Sequence, residues 1–217
     1  PASPVVSAQL FIEGGVGAQP ADQAGIEDMA LSVLVDGGTT ETPRDDFNSK
    51  LTAMGSGIGG SSNRDYSVIT MGSIRPYFES TWALFAELVT KPGFDEKAFG
   101  LIKERALTNI KSQDDDADTY MGNTAADLFF EGHPYKQRPE GLAETLEPMT
   151  RDDLATYFKG IMTRERLTLV VVGDVDRNTL EAGVTAGLGS LPKGDWRRQD
   201  LPQLNPGDAA VAVQTRE

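Results

Sequence analysis

The chain holds one histidine, His133, in the stretch FFEGHPYKQ (129–137). Imidazole is the commonest metal ligand and the usual general base near neutral pH. Either role needs a partner within reach, and the chain has no second histidine and no cysteine. A lone loop histidine followed by proline is suited instead to capping a short helix or fixing a turn.

The other stretches with chemical potential fail on spacing. DDDAD (114–118) suggests calcium, but a loop begun at Asp114 has Thr119 where an EF-hand needs glycine and Ala125 where it needs glutamate. It reads as a solvated acidic run between helices. EGGVGA (13–18) follows a strand like a phosphate loop, yet it is neither GxGxxG nor GxxxxGK[ST]. VVVGDVD (170–176) precedes a helix without the Gly-rich turn of a nucleotide site. No GxSxG elbow is present. Without cysteine there are no disulfides, no thiolate catalysis and no Cys-based zinc site.

Composition narrows the classes further. The chain has 217 residues, of which 39% are apolar, the balance of a globular chain with one large domain or two small ones. Its net charge of −13 argues against nucleic acid and anionic membrane as partners. No apolar run approaches the roughly 18 residues of a membrane span. The chain opens directly on the strand-like PASPVVSAQLFI, as a piece cut from a longer precursor would.

These residues sit in a legible frame. Val6, Ala8, Leu10 and Ile12 alternate and predict a strand. After a Gly-rich loop, Ile26, Met29, Ala30, Val33 and Leu34 show helical spacing that stops at Gly37-Gly38. A second helix is predicted with Thr42 as N-cap and Pro43 at its first position, ending at Gly55. SGIGGSSNRDYSVITMGSI (56–74) reads as two strands. Three amphipathic helices follow, the second capped by Asp95, and then one that opens with Thr150 capped against Asp153. RLTLVVVGDV (166–175) predicts a buried strand, a helix comes next, and NPGDAAVAVQ (205–214) predicts a last strand. This order is not a βαβ alternation. It fits an α+β fold, a mostly antiparallel sheet with helices packed on one face. Residues 1–190 form the expected domain, and 191–217 a linker and the start of a following domain, because Gly and Pro are frequent from Gly189 to Gly207.

Several stretches, in order and over nearly the whole chain, resemble the first half of a subunit of the pitrilysin/insulinase (M16) zinc peptidases. They are EGGVGAQPADQAGI, LVDGGTTETPRDDFNSKLTAMGSGIGG, SSNRDYSVITM, FAELVTKPGFDEKAFGLIKERAL and GHPYKQRPEGLAETLEPMTRDDLATYFKGIMTRERLTLVVVGDVD. The succession of HPY turn, Thr-capped helix and VVVGD strand carries the specificity. The resemblance implies the M16/LuxS-like α/β sandwich, and it makes His133 part of a turn and not a ligand.

Active members carry H-x-x-E-H on the helix after the Gly-rich loop. Two histidines one turn apart hold zinc, the glutamate activates the bound water, and a glutamate from a later helix completes the site. Aligned on Gly25 and Gly37, this chain has Asp28 and Ser32 at the histidine positions and Leu31 at the glutamate position. The resemblance places the third ligand at Lys111, with Glu104 retained nearby, and puts Gly59 at the family's substrate-strand asparagine. Leucine is no base, serine is a poor zinc ligand and a lysine cation repels the metal.

The resemblance therefore implies a non-catalytic subunit without a zinc cofactor, zinc being expected only in active members. Its implied partners are an active M16 subunit bearing H-x-x-E-H and an unfolded peptide. The family's Arg/Tyr pair belongs to the second half of the subunit. Ile58, Gly59, Gly60 and Ser61 form the expected peptide-binding strand, since low bulk and a free edge suit strand addition. One alternative is a purely structural assembly subunit, as in respiratory-complex relatives. Another is a metallopeptidase with Glu27, Asp28 and Glu104 as ligands, against which adjacent helical residues point about 100° apart. Bacterial members are often exported, so the resemblance is compatible with a periplasmic, exported or cytoplasmic setting.

Overall fold

The computed structural model describes residues 4–113 and 115–204. The elements run β1 (Val5–Glu13), α1 (Ile26–Gly37), α2 (Arg44–Ala53), β2 (Gly57–Ser62), β3 (Tyr66–Ile74), α3 (Phe78–Thr90), α4 (Glu96–Gln113), α5 (Ala117–Phe129), α6 (Ala143–Leu146), α7 (Arg151–Ile161), β4 (Leu167–Val172) and α8 (Arg177–Leu188). The four strands make one sheet in the order β2-β3-β1-β4, and every pairing is antiparallel. This is the α+β arrangement that the element order predicts.

Register gives the sheet two unlike faces. Leu10 lies opposite Ile69 on one side and Leu169 on the other, and Ala8 lies between Met71 and Val171. These rows turn inward and are packed against the helices, with Leu10, Ile69 and Met71 almost wholly buried. Side chains alternate across a strand, so Val5, Tyr66, Ile74, Val170 and Val172 stand on the other face and are exposed. Among the described residues the helices cover only the inner face.

α1 is the central helix. It packs on β2, α4 and α7, and its buried residues include Ile26, Met29, Ala30, Leu31, Val33 and Leu34. It is apolar nearly all round, as a helix enclosed on several sides must be. It starts at Gly25 in a left-handed conformation, φ 90°. A Cβ there would lie 2.7 Å from the Cα of Gly141, so both the torsion and the close backbone approach demand glycine.

Local chemistry sets the other helix starts. Asp95 Oδ1 accepts from the Ala98 N–H at 2.9 Å, and Asp116 Oδ1 from the Thr119 N–H at 2.7 Å. Thr150 and Asp153 form a reciprocal capping box at α7. His133 Nδ1 accepts from the Tyr135 N–H at 3.1 Å, and its ring stacks edge-on to Tyr135, so it fixes the HPY turn.

Two details differ from the sequence-based expectations. α2 begins at Arg44 with Pro43 in the capping position, and Thr42 is buried with its N–H donated to the Thr39 hydroxyl. β4 is an edge strand whose alternate residues are exposed, and not a buried strand, because only β1 pairs with it among the described residues. The Gly-rich loop is two short 3-10 turns pinned to the β2–β3 connection: Gly14, Val16 and Gly17 donate their N–H groups to Asp65, Asn63 and Arg64 carbonyls. Those N–H groups are thereby spent, and the loop presents no phosphate cradle from them. Residues 189–204 contain no helix or strand. The start of this stretch is laid on the domain: Leu191 is buried, and Pro192 and Lys193 carbonyls accept from Arg164 and Glu165. The strand predicted at 205–214 lies outside the described residues.

Candidate functional site

α1, β2 and α4 enclose a cleft of about 570 Å³. Asp28, Ser32 and Val35 of α1 face it, spaced one helical turn apart. Gly59 and Gly60 of β2 form one lip. Arg105, Asn109 and Gln113 of α4 form the other, and Glu140 closes one end.

β2 is an edge strand, paired with β3 on one side only among the described residues. Ile58 and Gly60 lie in the same row as Met71 and Ile69, toward the core, and Gly59 and Ser61 lie on the outer face. A Cβ on Gly60 would stand 3.2 Å from Leu31 Cβ. Glycine thus lets α1 press directly onto the strand.

Asp28 is the charged centre of the cleft. Burial pushes its carboxyl up, a hydrogen bond from the Ser62 backbone opposes this, and the nearby Glu140 and Glu27 charges raise it further, to about 6. Glu140 accepts a long hydrogen bond from Gln113 at 3.5 Å, and Gln113 accepts from Asn123 of α5 at 3.2 Å.

The sequence-derived site residues divide into two groups. Asp28, Ser32, Gly59 and Gly60 meet in the cleft. Leu31 is wholly buried beneath β2, and Ile58 is half-buried against the core. Lys111 is exposed and lies outside the cleft lining, to which α4 contributes Asn109 and Gln113. Residues two apart on a helix point about 200° apart, so Asn109 and Lys111 face opposite ways. The proposed ligand trio is not assembled either. Glu27 is wholly buried and turned to α7, where it accepts from the Tyr157 hydroxyl at 2.5 Å and lies 3.8 Å from Arg166. Glu104 is exposed and outside the lining.

A zinc ion does not fit the residues present. Among the described residues, no three His, Cys, Asp or Glu side chains converge. The cleft offers Asp28 with serine and amide groups, and Glu140 at one end, where zinc needs three protein ligands of the imidazole, thiolate or carboxylate kind. Sequence reasoning missed Arg105, Asn109, Gln113 and Glu140. The i, i+4 spacing of the three α4 residues was the available signal.

A central helix seated on the edge of a four-stranded antiparallel sheet, with a cleft between α1, β2 and α4, is the α+β arrangement that the M16 resemblance implies. Comparison with known proteins agrees. The family model described as "Peptidase M16 inactive domain" matches residues 148–216. The non-peptidase homolog YmxG of Helicobacter pylori is 22% identical over 185 residues, 85% of this chain and 43% of that protein. Human mitochondrial cytochrome b-c1 complex subunit 1 is 23% identical over 175 residues, 78% of this chain and 35% of that protein. The crystal structure of a peptidase M16 inactive domain from Pseudomonas fluorescens superposes with a TM-score of 0.83 at 21% identity, covering 93% of this chain and 49% of that one. Over most of its length the chain is thus similar to M16-type proteins, among them ones described as inactive or as non-peptidase homologues. It spans less than half the length of each of these proteins.

Proposed function

We propose that this chain is the first half of a non-catalytic M16 subunit that binds an extended peptide along β2 and works beside an active M16 partner bearing H-x-x-E-H. Residues 1–190 form its domain, and 191–217 lead into a second domain. The observation that carries the reading is the open edge of β2 bordering a cleft whose donors do not suit zinc. An incoming strand satisfies its own backbone groups on the β2 edge, and Gly59 and Gly60 keep the lip free of bulk. Asp28 and Glu140 favour a basic side chain in the cleft. The inactive subunit supplies wall and grip, and the partner supplies the metal and the cut.

The test combines the full-length protein, an unstructured peptide and the cognate H-x-x-E-H subunit. Hydrogen exchange at residues 57–62 slows when peptide is added, zinc content stays near zero, and cleavage by the partner changes on mixing. No association and no change in cleavage would sink the proposal. So would one zinc per chain with intrinsic, chelator-sensitive hydrolysis.

A second reading rests on the likeness to the cytochrome b-c1 subunit. In it the chain is an assembly subunit without a proteolytic role. It associates with its partner but leaves peptide binding and cleavage untouched, and exchange at β2 is unchanged by peptide.

A further inference from the structure

α5 is the least buried of the long helices. None of its residues is fully buried. Its inner side is held mainly by polar contacts: Asn123 donates to Gln113, Asp127 pairs with Arg138 at 2.7 Å, and Asp116 caps the first turn. Its outer side is apolar. Met121 is 65% exposed, Leu128 54% and Phe129 57%, and Ala125 stands exposed between them. A Cβ added to the neighbouring Gly122 would meet nothing within 4 Å, so this face is open.

The spacing of the stripe is specific. Met121, Ala125 and Leu128 follow one another at four and then three residues, the interval of a helix–helix seam. Phe129 flanks the seam, while Ala125 and Gly122 let a second backbone come close. The stripe is about 12 Å long, two turns of a partner helix. Its border is acidic. Asp118 stands one turn before Met121 on the same face, Asp115 lies at the entry to the helix, and both are exposed. No ion pair among the described residues engages either of them. At the other end of the helix the bases pair with other acids, Lys136 with Glu131 and Arg138 with Asp127.

We propose that the outward face of α5 docks an amphipathic helix of a partner protein, with lysine or arginine bordering that helix's apolar face. A second copy of the chain fits poorly. Parallel copies set Asp118 against Asp118, and the net charge of −13 repels a second copy in either orientation. The proposal is independent of the β2 cleft.

The test uses the full-length protein and two labelled helical peptides. Both carry leucines at alternating three- and four-residue spacing, one bordered by lysines and the other by glutamates. Fluorescence anisotropy at low salt shows the lysine peptide binding at least about tenfold more tightly, and salt weakens it. Phe129→Ser lowers its affinity about tenfold, and Asp118→Lys reverses the preference. Unchanged thermal melts confirm that both variants fold, as their exposed positions lead one to expect. Equal binding of the two peptides, or binding indifferent to Phe129→Ser, overturns the proposal. Concentration-dependent self-association in sedimentation that Phe129→Ser abolishes also overturns it, since the occupant is then a second copy.

Discussion

Leu31 presses on Gly60 so closely that a Cβ at the glycine would lie 3.2 Å from Leu31 Cβ and 3.4 Å from its carbonyl oxygen. Leu31 is a packing element. It seats α1 against the edge strand and holds the lip of the cleft in place.

Two glycines of β2 give opposite responses to alanine. Gly60→Ala costs about 1 kcal/mol because α1 must move away. Gly57→Ala, with open space around its Cβ, is neutral or stabilising by up to about 1 kcal/mol, since glycine weakens a strand interior. Leu31→Ala costs about 2–4 kcal/mol through the cavity it leaves. Urea unfolding of the three variants checks the order.

Asp28→Asn has a pH-dependent effect of definite sign. The folded state holds the Asp28 proton up to about pH 6 and the unfolded state only to about 3.8. The stability linked to that proton is full below the lower value and is lost as pH rises through the upper one. Asparagine escapes this loss. The variant gains on the native protein between pH 4 and pH 7, by about 3 kcal/mol at most. Denaturation at both pH values reads the difference directly.

Tyr157→Phe strands a buried charge. Glu27 Oε1 has no partner in the fold, and Arg166 stands 3.8 Å from Oε2, so the tyrosine hydroxyl is the main hydrogen bond to this carboxylate. Burial, and then the adjacent Glu27 charge, push the Tyr157 hydroxyl well above its ordinary range, so it remains a donor at every accessible pH. Its removal costs about 2–3 kcal/mol. A double-mutant cycle with Glu27→Gln shows coupling of at least about 1 kcal/mol. Additive effects would mean that the pair does not act together.

Thr150→Ala removes one side of the α7 capping box and costs about 1 kcal/mol. The loss appears as a lowered midpoint in thermal unfolding.

Much of this molecule is legible in the chain alone. Alternation in VVSAQLFI, the Asp95 and Thr150 caps, and the glycines that end α1 are local signals, and each appears where residue spacing predicts it. Asp28, Leu31 and Ser32, which the resemblance sets at the H-x-x-E-H positions, are likewise read from one helical turn. The resemblance adds the succession of elements, and the sheet confirms it.

Tertiary structure alone decided the rest. Helical spacing shows that Asn109 and Lys111 point apart, but only the packing of α4 on α1 selects Asn109 for the cleft. Alternation marks β2 and β4 as strands, but pairing across the sheet makes both of them edges and gives β2 its place beside the cleft. Glu27 and Asp28 are neighbours in sequence. Enclosure of α1 by α7 on one side and the cleft on the other sends the first to Tyr157, 130 residues away, and leaves the second facing the cleft. Local interactions set where an element begins and which way its faces repeat. Its rotation against its neighbours is set by burial summed over the whole core, and no short stretch of sequence contains that sum.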